Sequence, residues 1–341
     1  MSSLAIITAA GIAGLAVTYI MGFSFVPWLG KLEFGRTYPA FEKRQPAPTM
    51  GGMLPVIGTV SAVVLAAVTD KISGTDIISS GSLVAQDLQT KFWSGLFMAL
   101  SFALVGLTDD YYKIKTNGTI GLTVKQKTVM RFFVILAYLT GVYMGMNGMP
   151  YMFVPFYGNV EPGFFYWIIG FLLIYAAVDA VNITDGVDGL CGSVTLTAAA
   201  SLGVIAALKG LFGFSMMSAA VVGSCIGFLL RNKHPAKIYE GKTGTMFFGG
   251  MLVALSYATG CPFILILSGL SFFVIGASDF MRVTCHKKTG RNLFRKNAPL
   301  QHHLKCCGWS DNKITLTFTA VNVIGGVAAV AVMYYGGYIL I

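Results

Sequence analysis

Charge is what this sequence has least of. Only 11% of its 341 residues are Asp, Glu, Lys or Arg, against 55% hydrophobic ones, whereas soluble domains carry about a quarter charged residues. A mean hydropathy of +0.71 excludes the chain from the soluble class. The six cysteines include no CxxC pair, which excludes a zinc-site spacing and a secreted disulfide framework and leaves unpaired thiols. The GxxxxGK[ST] loop of P-loop nucleotide-binding proteins is missing too. No basic residue precedes the first apolar stretch, from Leu4 to about Gly30, and no small-residue cleavage pattern ends it. It is therefore expected to be a retained first helix rather than a signal peptide.

What the chain does have is long apolar runs. They fall at about 4–30, 50–69, 92–108, 128–147, 164–181, 191–208, 211–230, 243–259, 261–281 and 314–340. A bilayer core needs roughly 20 apolar residues per helix, so the pattern predicts an all-α polytopic membrane protein with about ten transmembrane helices. The eighth and ninth runs are separated only by the Gly260-Cys261-Pro262 breaker. Residues 1–341 are expected to form a single transmembrane domain, its active site built from the loops on one face.

Lysine and arginine set the orientation, because basic loops stay in the cytosol. The connections 31–49, 109–127, 182–190, 231–242 and 282–313, with Arg131 just inside the fourth helix, hold 21 of the 24 basic residues. Only Lys71, Lys91 and Lys209 lie on the other side. Five cytosolic loops and both termini outside follow. The same asymmetry accounts for the net charge of +10 without nucleic acid, and it suits anionic membrane lipids.

Five of the fourteen acidic residues stand at the cytosolic ends of apolar runs: Asp109, Asp110, Asp179, Asp185 and Asp188. A carboxylate near hydrocarbon is costly unless paired or bound to a cation, which makes such residues functional candidates, although capping a helix or reaching into water would also place them there. Asp109 and Asp110 are adjacent like charges, a conflict that a hard cation such as Mg²⁺ relieves through carboxylate and phosphate oxygens. Lys113 would lie one turn on if the helix continues. The segment from Asn182 to Leu190 packs an amide, Thr184, Asp185, Asp188 and the glycines 186 and 189 between two spans. Turn chemistry alone explains such residues, but the grouping suits a polar substrate or metal better. The run from Asn232 to Thr245 sets Gly241, Lys242 and Thr243 at a helix start, where backbone N–H groups bind anions. His302 and His303, in a basic loop, can ligate metal, shuttle protons or bond phosphate.

In this order, Pro48-Thr49-Met50-Gly51-Gly52, Asp109-Asp110-Tyr111, Gly121 to Lys127, Asn182 to Leu190, His234-Pro235-Ala236 and Ala298-Pro299-Leu300 with its histidines closely resemble the polyprenyl-phosphate N-acetylhexosamine-1-phosphate transferase superfamily. Within it, the nearest likeness is to the phospho-N-acetylmuramoyl-pentapeptide transferases. The resemblance covers nearly the whole chain. It implies transfer of phospho-MurNAc-pentapeptide from UDP-MurNAc-pentapeptide to undecaprenyl phosphate, giving lipid I and UMP, in a Mg²⁺-dependent step of peptidoglycan synthesis at the bacterial inner membrane. The implied catalytic residues are Asp109, Asp110, Lys125, Asp185, His302 and His303, with Asp109, Asp110 and Asp185 as metal ligands. Substrate contacts are expected from Lys43, Thr49, Lys113, Asn182 and Gly186, and further along from Asp188, Asn232, Lys242 and Tyr239, whose ring stands where the family has a phenylalanine proposed to stack on uracil. The oligomeric state is open, with a homodimer among the arrangements considered.

The sequence departs from that family at telling positions. Gly-Asp-x-Gly-Ser becomes Gly241-Lys242-Thr243-Gly244-Thr245, so a lysine replaces an aspartate implicated in Mg²⁺ binding. A family asparagine is Asp179, and the first of three histidines is Gln301. Two readings stand: Mg²⁺ is still held by Asp109, Asp110 or Asp185, or the Lys242 ammonium partly replaces the cation. Glu240 could supply a substitute carboxylate. Other functions compete less well. An intramembrane prenyltransferase would show paired NDxxD-type or DxxxD-type motifs, which Asp109-Asp110 does not match, and a secondary transporter would carry midplane charges and inverted repeats. A relative using UDP-GlcNAc or another UDP sugar is the closest alternative.

Overall fold

With no water in the bilayer core, a chain must satisfy its backbone polar groups internally, and an apolar helix does so within one segment. The computed structural model describes residues 2–31, 47–78, 85–116, 121–289 and 299–337. The helices are α1 (Ser3–Lys31), α2 (Met53–Ser73), α3 (Ala85–Lys115), α4 (Val124–Gly145), α5 (Phe165–Thr184) and α6 (Leu190–Leu208), then α7 (Phe212–Asn232), α8 (Gly241–Ala258), α9 (Ile264–Ser268), α10 (Leu270–Thr289), α11 (Leu300–Cys306) and α12 (Asp311–Tyr335). A small antiparallel hairpin, β1 (Met152–Val154) with β2 (Gly158–Val160), lies between α4 and α5.

Among the described residues ten helices have 18 residues or more. Eight of them are long and apolar enough to cross a membrane, which makes this an all-α multi-pass membrane protein. The other two, α8 and α10, are more polar for visible reasons. The first turns of α8 read Gly-Lys-Thr-Gly-Thr, and the last turns of α10 carry Asp279, Arg282 and three further basic residues.

Helix α8 sits at the centre, packed by α2, α3, α5, α6, α7 and α9. All its residues are buried except Lys242. Its closest neighbour is α3, and a Cβ at Gly106 would lie 2.3 Å from the Lys242 carbonyl oxygen. Glycine there lets the two backbones touch, a common device in membrane helix packing.

The structure differs from the sequence reading at several boundaries. Helix α3 runs through Asp109, Asp110 and Lys113 rather than stopping at 108, because residues 109–115 continue the turn at the bundle's end. Helix α11 forms inside the long basic connection, docked by Gln301, whose Nε2 donates to the Ile183 carbonyl (2.9 Å). The breaker at Gly260 is present with φ +76°, and a second break falls at Gly269 between α9 and α10. Asn322 of α12 repairs it: its Oδ1 accepts from the Ser271 N–H (3.2 Å) and its Nδ2 donates to the Ser268 carbonyl (3.0 Å). Interrupted helices persist within membranes where neighbours satisfy the freed backbone groups in this way.

The two ends of the bundle are distinct. One holds the hairpin, where Phe153 N–H donates to Gly260 and Lys209 lies over the Phe153 ring. The other gathers the ends of α3, α5 and α7 with the starts of α4, α6, α8 and α12.

Candidate active site

The site starts from the last turns of α3. Asp109 is 1% exposed, yet three lysines reach it: Lys113 one turn on (2.9 Å to Oδ2), Lys127 from α4 (2.8 Å to Oδ1) and Lys242 from α8 (2.8 Å to Oδ2). The Leu122 N–H also donates to Oδ1 (2.9 Å). The carboxylate is sunk while the lysines keep 20–26% of their side chains exposed, so positive charge faces outward over a buried counter-ion. The capping box of Thr123 and Gln126 fixes the start of α4 and hence the approach of Lys127.

Two further carboxylates meet the N-terminus of α8. Asp110, fully buried, accepts from the Thr243 N–H and hydroxyl at 3.0 Å each. Asp185, half-buried at the end of α5, accepts from the Gly241 N–H (3.1 Å). Free N–H groups and the helix dipole both favour negative charge at this position. Asn182 accepts from the Thr245 hydroxyl (3.1 Å), tying α5 to the next turn of α8.

Gly186 has a steric reason. A Cβ there would lie 2.2 Å from His302 Nε2, so the imidazole of α11 rests directly on the backbone beside Asp185. His303, the next residue, turns toward Cys307 Sγ (3.7 Å). Asp109, Asp185 and His302 are therefore linked through Lys242, Gly241 and Gly186 into one polar surface.

Beside it lies a second acidic group. Asp188 Oδ2 contacts His234 Nδ1 (2.9 Å), and His234 stands 3.8 Å from Asp311, which Lys305 also neutralises (2.7 Å). Among the described residues Asp188, His234 and Asp311 form the one cluster whose metal-ligating atoms all lie within 4.8 Å of one another.

Other expected residues are placed differently. Lys125 is exposed and makes no ion pair among the described residues; its neighbour Lys127, which the sequence reading did not single out, is the one that reaches Asp109. The Asn232 amide is engaged with backbone on both sides, accepting from Gly189 N–H (3.0 Å) and donating to Ile238 (2.8 Å). Tyr239 is 2% exposed, its N–H bonded to Pro48 and its carbonyl to Gly51. Thr49 is buried in the same pairing segment. Lys43 lies outside the described residues. Asp179 pairs with Arg131, which also lies over Tyr175 (5.5 Å). Glu240 is 1% exposed and turned toward Asp185 and the Cys191 thiol; burial, then the Asp185 charge, holds its carboxyl well above the usual carboxylate range. Its carboxyl thus faces Asp185 and Cys191 in a setting that disfavours its charged form.

An apolar groove of about 510 Å³ runs between α5 and α10, lined by Tyr175, Asp179, Ile183, Phe273, Asp279 and Phe280. Its upper polar residues adjoin the helix end that carries Asp185.

Comparison with known proteins places the chain among transferases. Residues 92–260, from α3 to the end of α8, match the family described as glycosyl transferase family 4. Over 314 residues the chain is 30% identical to a phospho-N-acetylmuramoyl-pentapeptide-transferase of Geobacillus kaustophilus, covering 90% of this chain and 92% of the relative. A protein of the same name from Bacillus thuringiensis is 29% identical over 337 residues, covering 97% of this chain and 98% of its own.

Proposed function

The chain belongs to the phospho-N-acetylmuramoyl-pentapeptide-transferase family, and from that membership we propose that it moves phospho-MurNAc-pentapeptide from its UDP carrier onto undecaprenyl phosphate, releasing UMP and forming lipid I. The observation that carries this reading is a cationic, phosphate-seeking surface around Asp109 at the same end of the bundle as the end of α5, where Asp185 contacts α8 and Ile183 lines the apolar groove against α10. A soluble nucleotide sugar and a membrane-bound phosphate need such a shared boundary. The site end then faces the cytosol of a bacterial inner membrane, with both termini outside, as the basic loops require.

The chemistry is an in-line phosphoryl transfer. A lipid phosphate oxygen bonds to the sugar-side β-phosphorus while its bond to the bridging oxygen breaks and UMP leaves. The second pKa of a phosphate monoester is near 6, so the attacking group is already mostly a dianion at neutral pH and no base is needed to activate it. Positioning and charge neutralisation supply the acceleration. Asp109 and Asp110 hold those donors in place: one gathers lysines, the other caps α8. Because Asp110 is fully buried and its Oδ2 is held by Thr243, direct attack is favoured over a phospho-aspartate.

Mg²⁺ is the cofactor that the family resemblance implies, and the expected ligands were Asp109, Asp110 and Asp185. Their donor set does not suit a cation here. Asp109 is enclosed by three ammonium groups, and Asp110 and Asp185 each commit an oxygen to α8 N–H groups.

The decisive test is UMP release by the purified chain given undecaprenyl phosphate with either UDP-MurNAc-pentapeptide or UDP-GlcNAc. UMP from the first donor alone, and only with acceptor, is expected. UMP from UDP-GlcNAc alone moves the chain to the alternative branch, UMP without acceptor supports the covalent route, and none from either donor ends the proposal.

A further inference from the structure

The charge around Asp109 is unbalanced by a definite amount. Three ammonium groups meet one carboxylate, an excess of two positive charges at Asp109 itself, while the other two carboxylates of the site, Asp110 and Asp185, are turned to the N–H groups of α8. Lys242 creates the excess. Where the family resemblance places a carboxylate, this chain has an ammonium, and that exchange changes the local charge by two units, the charge of one divalent cation. Asp179, the acidic residue gained where the family resemblance places an asparagine, does not offset it, because Arg131 already neutralises that side chain.

Geometry points the same way. Lys242 is the one residue of α8 that is not buried, and its backbone is pinned against Gly106. Its ammonium is thus aimed out of the most enclosed helix in the protein, at the same carboxylate that Lys113 and Lys127 reach. A hard divalent cation binds carboxylate oxygen at about 2.0–2.1 Å and repels like charge. Beside Asp109 it would meet three cations within one hydrogen-bond length of the same two oxygens.

We propose that the Lys113, Lys127 and Lys242 ammonium groups together take the place of a divalent cation, binding the donor's diphosphate directly, so that this chain binds and turns over its nucleotide sugar without metal. The inference rests on the transferase reading. As the diphosphate arrives, its oxygens replace the outward-facing hydration of the lysines while Asp109 keeps them converged from below. During transfer the bond from β-phosphorus to the bridging oxygen breaks, and the charge that develops on the departing UMP is met by an ammonium that donates a hydrogen bond and keeps its proton. Lysine does this as a point charge.

The test uses the full chain in nanodiscs. Calorimetric binding of UDP-MurNAc-pentapeptide and UMP release are measured in excess EDTA and in Mg²⁺, and bound Mn²⁺ is followed by electron paramagnetic resonance. Affinity and turnover in EDTA within about threefold of those in Mg²⁺, with no tightly bound Mn²⁺, are expected. Lys242→Asp should bind at least about tenfold more weakly in EDTA, recover in Mg²⁺ and acquire a Mn²⁺ signal. Lys242→Met, which carries no charge to misplace, should lose affinity in EDTA if the aspartate variant fails to fold. Donor binding and turnover that appear only with Mg²⁺ would overturn the inference and leave the transferase standing. Absence of both in both conditions would take the transferase reading down with it.

Discussion

Helix α3 carries the same ion pair twice, an aspartate with a lysine four residues on, and the two copies do opposite things. Asp87 and Lys91 meet at 2.8 Å near the hairpin end, their side chains 9% and 6% exposed. Asp109 and Lys113 meet at 2.9 Å at the other end. The first is a closed, neutral pair shielded by protein, with Tyr151 5.6 Å from the ammonium. The second is opened by two more lysines, from α4 and α8, which leave it with surplus charge at the protein's edge. Identical local sequence logic thus gives a structural strut at one end and a binding surface at the other. The difference lies entirely in what the neighbouring helices bring.

Three measurements sharpen or break this contrast. Asp109→Asn leaves three ammonium groups without their organiser and should cut UMP release by about 100-fold or more. Lys91→Met should act on the fold instead, lowering stability by about 3 kcal/mol because Asp87 is left buried and unpaired, while turnover per folded molecule is unchanged. Thermal unfolding and UMP release on both variants decide the matter; an inactive but fully stable Lys91→Met protein would erase the distinction. The smallest effect is expected at Glu240. Its raised carboxyl pKa means that the folded chain holds a proton that the unfolded chain releases above its ordinary value of 4.5. The stability this provides is complete at low pH and is lost as pH rises toward the folded value. Glu240→Gln should flatten that slope and raise the unfolding midpoint at pH 8 by roughly 2–4 °C. A profile parallel to the parent's would show that the carboxyl is ionised.

Much of this arrangement is legible in the sequence, because the bilayer imposes a one-dimensional code. Apolar runs mark the spans, and acidic residues stand out at their ends. Lys113 follows Asp109 by one helical turn, so their pairing needs only a helix that continues. What the sequence conceals is rotational phase and long-range pairing. Lys125 and Lys127 are two residues apart in the first turn of α4, about 200° around the axis, and only the docking of α4 against α3 shows which one faces Asp109. Asn232 and Tyr239 carry groups suited to a ligand, yet Asn232 holds the Ile238 carbonyl, and Tyr239 and Glu240 pair with the segment at 48–52, a long-range match invisible to local patterns. The partner of Asp179, Arg131, lies on a different helix. The break at Gly269 could not be anticipated without Asn322, contributed from α12 to mend it.

The contact between Gly106 and the Lys242 carbonyl gives an apparently inert position control over electrostatics. A methyl group at residue 106 would wedge α8 away from α3 and withdraw one corner of the lysine triangle, although it neither carries charge nor meets substrate. The reach of a flexible side chain is therefore set by the missing side chain opposite its root. A search for activity-altering substitutions that begins with charged residues alone would pass over that hinge of the charge pattern.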